Sequence, residues 1–120
     1  MNIEELRLYC LSKYLVTESF PFDETTLVFK VADKMFALNG LNRLPHSVNL
    51  KCNPEIALEL REAFNAVEPG YHMSKKHWNT ILLEGDMNST DLKKWIDHSY
   101  DLVVASFSKK RKVELGFETV

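Results

Sequence analysis

The period of apolar and polar side chains changes several times along the chain. Ile3, Leu6, Tyr9, Cys10 and Tyr14 recur at helical spacing, which predicts a first helix over residues 2–14. Asn2 is placed to cap it, and Glu4 and Glu5 suit the positive end of its dipole. Residues 15–24 lose the pattern. Pro21 with Glu18, Asp23 and Glu24 reads as a loop, whose Phe20 and Phe22 are expected to pack over the core edge. Period two takes over at Thr25–Val31, with Leu27, Phe29 and Val31 on one face and Thr26, Val28 and Lys30 on the other. A second strand is predicted over Lys34–Asn39, joined to the first as a hairpin by the tight link Ala32-Asp33. Gly40–Pro45 forms a longer turn. His46–Cys52 then alternates again, with Val48, Leu50 and Cys52 inward and Ser47, Asn49 and Lys51 outward. Three strands in series predict an antiparallel meander.

Asn53-Pro54-Glu55 is a strong helix start, combining a capping residue, a proline for the first turn and an acid for the dipole. Ile56, Ala57, Leu60, Ala63, Phe64 and Val67 trace its apolar face, and Pro69-Gly70 is expected to stop it. An ordered polar loop, Tyr71–His77, feeds a strand at Asn79–Leu83, with Trp78 opening it. Glu84-Gly85-Asp86 is a turn. Asn88 or Ser89 caps a last long helix with a buried stripe of Leu92, Trp95, Ile96, Ser99, Val103 and Phe107. Lys109–Lys112 is expected to close that helix at its C-terminal end, where cations are favoured. A single domain over 1–112 is followed by 113–120, a tail or last edge strand. The order α, βββ, α, β with room for a second short strand, α predicts an α+β fold of two layers. An antiparallel sheet carries the helices on one face and leaves the other partly open.

Bulk properties narrow the function classes. A length of 120 residues suits one domain with a core that needs no disulfide or metal. The 45% apolar and 27% charged fractions exclude a disordered chain. A net charge of −2 gives no global pull toward nucleic acid or anionic membrane, so any such binding needs a local patch. Cys10 and Cys52 lie far apart, form no Cys-x-x-Cys pair and are expected to be free thiols in a reducing compartment. The N-terminal residues lack a basic start with an apolar run, which predicts no secretory signal. No segment approaches the ~18 apolar residues of a membrane span. The expected location is the cytoplasm.

Catalytic and cofactor motifs are missing. His46, His72, His77 and His98 make no His-Glu-x-x-His, and no metal is expected. The four glycines are isolated, which opposes a phosphate cradle, so no cofactor is expected. No serine sits in a nucleophile elbow. The acids of the first 24 residues suit a solvated face better than an iron-binding ridge, since Glu4 and Glu5 are adjacent rather than one turn apart. The mixture of cations and aromatics in the 71–78 stretch is more suggestive, because lysines contact phosphates and aromatic rings stack on bases. The competing reading has Trp78 in the core and the lysines as solubilising charge. The alternation of Trp78 with Thr80 and Leu82 predicts that Trp78 is mostly buried.

A family resemblance rests on Phe29-Lys30-Val31, Lys34-Met35-Phe36-Ala37, Val48-Asn49-Leu50-Lys51-Cys52 followed by Pro54-Glu55, Val67-Glu68-Pro69-Gly70-Tyr71-His72, Lys75-Lys76-His77-Trp78 and Ser99-Tyr100. In that order, over about residues 2–112, the chain resembles the MmcQ/YjbR family of small bacterial proteins. The resemblance implies a compact α+β domain of the secretion-chaperone or frataxin-like kind, often labelled DNA-binding from a "double-wing" arrangement. It supplies no catalytic residues, and fold alone does not fix function. The expected activity is therefore binding without catalysis. Weak, non-specific DNA contact would use Lys51, Tyr71, His72, Lys75, Lys76, His77 and Trp78. The alternative partner is another protein, met by the open sheet face or the 67–78 loop.

Overall fold

The structure, a computed structural model, describes residues 1–119. Helix α1 (Ile3–Leu11) opens with a capping box: the Asn2 side chain accepts from the Glu5 amide, and Glu5 bonds back to the Asn2 amide. It ends three residues before the expected Tyr14. Leu15 then takes a left-handed φ of 61° and turns the chain into strand β1 (Val16–Ser19), within the segment expected to be loop. β1 pairs with β2 (Thr26–Val31), which sets Glu18 opposite Phe29 on the helix side of the sheet. That acid is accommodated by Arg7 of α1, whose guanidinium donates to Glu18 at 2.6 and 2.8 Å. Phe20 and Phe22 do not pack over the core edge. Both are exposed, because Asp23 holds the loop out through bonds from the Thr25 and Thr26 amides.

The meander continues with β3 (Lys34–Gly40) and β4 (Ser47–Lys51). A bulge opposite Phe29 and Lys30 turns both Phe36 and Ala37 toward the helices. Helix α2 (Pro54–Ala63) starts as expected, with the Asn53 side chain accepting from the Glu55 and Ile56 amides. It stops well short of Pro69. Phe64 is extended, and the Asp86 carboxylate captures the Asn65 and Ala66 amides at 2.8 Å each. Val67 therefore belongs to a short strand, β5 (Val67–Pro69), paired with β6 (Trp78–Leu82).

The last expected helix is two helices. α3 (Ser89–Ala105) ends at Ser106, and α4 (Lys109–Leu115) restarts with Ser108 as its cap. Lys109 and Lys110 thus sit at the N-terminal, electropositive end of α4, the opposite of the favourable placement expected for them. The supposed tail begins inside this helix, which Gly116 closes in a left-handed conformation. Val120 of that segment lies outside the described residues.

The sheet is antiparallel throughout, in the order β1-β2-β3-β4-β6-β5. The α+β architecture is as expected. Leu27, Phe29, Val48, Leu50 and Ile81 face Leu6 and Cys10 of α1, Ala57 and Leu60 of α2, and Leu92, Ile96 and Val103 of α3 in one core. Ser99, the one polar position in the α3 stripe, is fully buried. Its hydroxyl donates to the Phe36 carbonyl at 2.6 Å and accepts from the Lys51 amide at 2.9 Å, tying α3 to β3 and β4. Among the described residues, the other face has only a small apolar cluster of Val28, Leu38 and Trp78, flanked by Met35 and Met73. No helix among the described residues is long and apolar enough to cross a membrane.

Candidate functional site

The open face of the sheet holds a groove of about 610 Å³. Register sets its floor. Thr26 lies opposite Gly40, Val28 opposite Leu38 and Leu38 opposite Asn49, so neighbouring strands present these side chains on one face. Leu38 and Gly40 leave the floor low and apolar, with Ser47 and Asn49 beside them. A Cβ added to Gly40 would meet nothing closer than Arg43 Cβ at 3.5 Å, so the space above it is open. One wall is the β1–β2 loop, carrying Phe22, which is 65% exposed. The other is Tyr71 and His72 of the β5–β6 loop, with Arg43 of the β3–β4 link laid over the Tyr71 ring at 3.9 Å.

A closed set of hydrogen bonds fixes the second wall. The Tyr71 amide donates to Thr80 Oγ1 at 2.8 Å, Thr80 Oγ1 donates to Asn49 Oδ1 at 2.6 Å, and Asn49 Nδ2 returns to the Tyr71 carbonyl at 3.0 Å. Both backbone groups of Tyr71 are thereby bound to β4 and β6. His72 is held at a φ of 57°, a conformation that non-glycine residues adopt mainly where surrounding structure imposes it. The base of the loop is equally determined. Gly70 approaches β6 so closely that a Cβ would lie 2.8 Å from Trp78 Cβ. Arg61 of α2 donates to Asn79 Oδ1 at 2.7 Å and to the Trp78 and Lys75 carbonyls.

Electrostatically the groove is mixed. Arg43 pairs with Glu68 at 3.2 Å. Asp23 is held below the usual carboxylate range, first by the backbone bonds from Thr25 and Thr26, so it stays ionised. Among the described residues, no three His, Cys, Asp or Glu side chains assemble as a metal set.

The YjbR family model matches residues 11–102. The chain belongs to the YjbR family. It is 31% identical over 112 residues to the protein YjbR of Escherichia coli K12, covering 93% of this chain and 95% of that one. It is 37% identical to YyaQ of Bacillus subtilis over 76 residues, 63% of each chain. Among solved structures, Deinococcus radiodurans protein DR2400 superposes with a TM-score of 0.91 at 39% identity, over 96% of this chain and 88% of that one. A Pseudomonas syringae protein superposes with a TM-score of 0.73 at 29% identity, over 85% and 98%.

In this YjbR domain the seven residues expected to form a site are dispersed. Tyr71 and His72 line the groove. Trp78 is only 8% exposed, packed against Val28 and Leu38. Lys51 lies opposite Trp78 in the β4–β6 ladder, half-buried on the open face. Lys75 donates its ammonium to the Gly70 carbonyl at 2.7 Å, which commits it to shaping the loop. Lys76 and His77 are exposed. Sequence reasoning missed Phe22, Leu38, Gly40, Arg43 and Ser47. Only the strand alternation that put Ser47 and Asn49 outward pointed toward them.

Proposed function

We propose that this YjbR domain binds an organic ligand in the open-face groove and performs no chemistry on it. The supporting observation is the groove itself: about 610 Å³, apolar at its floor, and walled by a loop locked in place before any ligand arrives. That size falls in the range of small-molecule sites, which are mostly preformed. A fragment library screened by amide NMR tests this. Shifts should cluster at Leu38, Arg43, Tyr71 and His72. They should vanish in Gly40→Leu, which fills open space at a strand position without a left-handed φ. Dispersed shifts, or unchanged binding in Gly40→Leu, would remove the groove as the site. The buried free thiols Cys10 and Cys52 support a reducing location, the cytoplasm.

A second reading, weak contact with DNA, is favoured by Lys76 and His77, which are exposed and make no side-chain hydrogen bond among the described residues. With Lys75 engaged in the loop, one phosphate contact is expected there. Lys76→Ala should therefore flatten log affinity against log salt by roughly 1. Absence of duplex binding at low salt would end this reading.

A further inference from the structure

Given the groove reading above, we infer that the occupant is a planar aromatic carboxylate of one or two rings, its ring over Leu38 and Gly40 and its acid group on Arg43. The walls define the ring. Phe22 rises beside β2 and Tyr71 beside β4 and β6, so the floor between them spans two strand spacings, roughly 10 Å. Exposed aromatic side chains on both sides and an aliphatic floor favour a flat apolar body.

The charge pattern defines the acid. Arg43 and Asp23 are the permanently charged groups lining the groove. Asp23 already accepts from two backbone amides and the Thr26 hydroxyl. Arg43 is engaged through one nitrogen only, Nη2 to Glu68; its Nε and Nη1 have no protein acceptor among the described residues. Its Cζ lies 3.9 Å from the centre of the Tyr71 ring, a contact that holds the guanidinium over the ring and leaves its free nitrogens as donors of the kind that receive carboxylates. The Glu68 side of the pair is exposed and Arg43 is half-buried; such surface pairs have little net strength, so an incoming acid can take the place of Glu68. A second anchor is Ser47. It is only 5% exposed, it lines the groove, and its hydroxyl has no protein partner among the described residues. Such a hydroxyl is left for a ligand or water to satisfy.

The test is NMR titration with naphthoate, its neutral amide naphthamide, and octanoate as an aliphatic acid. Naphthoate should bind about tenfold or more tightly than either control, the scale of one charge-assisted interaction. Arg43→Gln should reduce naphthoate to the naphthamide level. Glu68→Gln should tighten naphthoate, by removing the competing carboxylate, and leave naphthamide unchanged; a merely structural role for Arg43 predicts no such gain. Gly40→Leu should block all three. Equal affinity for naphthoate and naphthamide, or for naphthoate and octanoate, would overturn the aromatic-acid assignment. Neutral fragments that fill the groove while naphthoate does not would overturn it and leave the groove reading standing. If no compound shifts the groove amides of the wild type, both fall.

Discussion

At the scale of single residues, two side chains carry measurable consequences. Trp78 packs against Val28 and Leu38 on the open face and is almost fully buried there, so it supports that face rather than offering a stacking surface. Trp78→Ala should cost about 3–5 kcal/mol, the usual penalty for emptying a large core site, as measured by denaturant unfolding. A loss under about 1 kcal/mol would identify an exposed ring instead. His98 of α3 accepts a hydrogen bond from the Asn53 amide at 3.2 Å through Nε2. Burial depresses its pKa below the ordinary histidine value, Lys94 adds to the depression, and Asp101 opposes it. The unfolded chain therefore takes up this proton more readily than the folded one. Its contribution is complete above the unfolded histidine pKa, about 6.5, and is lost as pH falls through the folded value. Urea midpoints of the wild type should drop across that window, and those of His98→Gln should drop less.

At the scale of elements, α4 is placed against its own charge. Lys109 and Lys110 stand in its first turn, with the Ser108 side chain accepting from the Arg111 amide at 3.1 Å as its cap. Lys109→Glu should stabilise the protein by about 0.3–1 kcal/mol at low ionic strength, and thermal melts in high salt should erase the gain. The cation run hid this helix from sequence reading, because four charges carry no apolar period to mark a new start. β5 was hidden for the opposite reason. Val67 falls three residues after Phe64, in step with the α2 stripe, and only the tertiary bonds from Asn65 and Ala66 to Asp86 break that step. β1 has one strongly apolar residue in four and an acid on the helix side, acceptable only because Arg7 is there. By contrast β2, β4 and the start of α2 were legible, since alternation and Asn53-Pro54 act locally, and β3 was legible from its apolar run and the tight link to β2, though not its bulge. The candidate site divides the same way. Tyr71 and His72 stood out as neighbours in one loop. Phe22, Leu38, Arg43 and Ser47 come from separate segments that only the sheet register unites.

At the scale of the whole molecule, the sheet order is sequential except for one detour, in which α2 and β5 intervene between β4 and β6. That detour has a consequence in time. Short links let β2, β3 and β4 zip together early, whereas β6 must close a long excursion before Ser47 can meet Leu82. The Tyr71–Thr80–Asn49 ring spans this late seam, so the groove wall belongs to the last part of the chain to assemble. In a chevron, Ile81→Val should then speed unfolding and barely slow refolding, and Val28→Ala should slow refolding. The reverse ranking would place the β6 seam in the nucleus. A late seam is also the first to reopen, so the earliest partial unfolding of this domain would dismantle its binding face while the meander still stands.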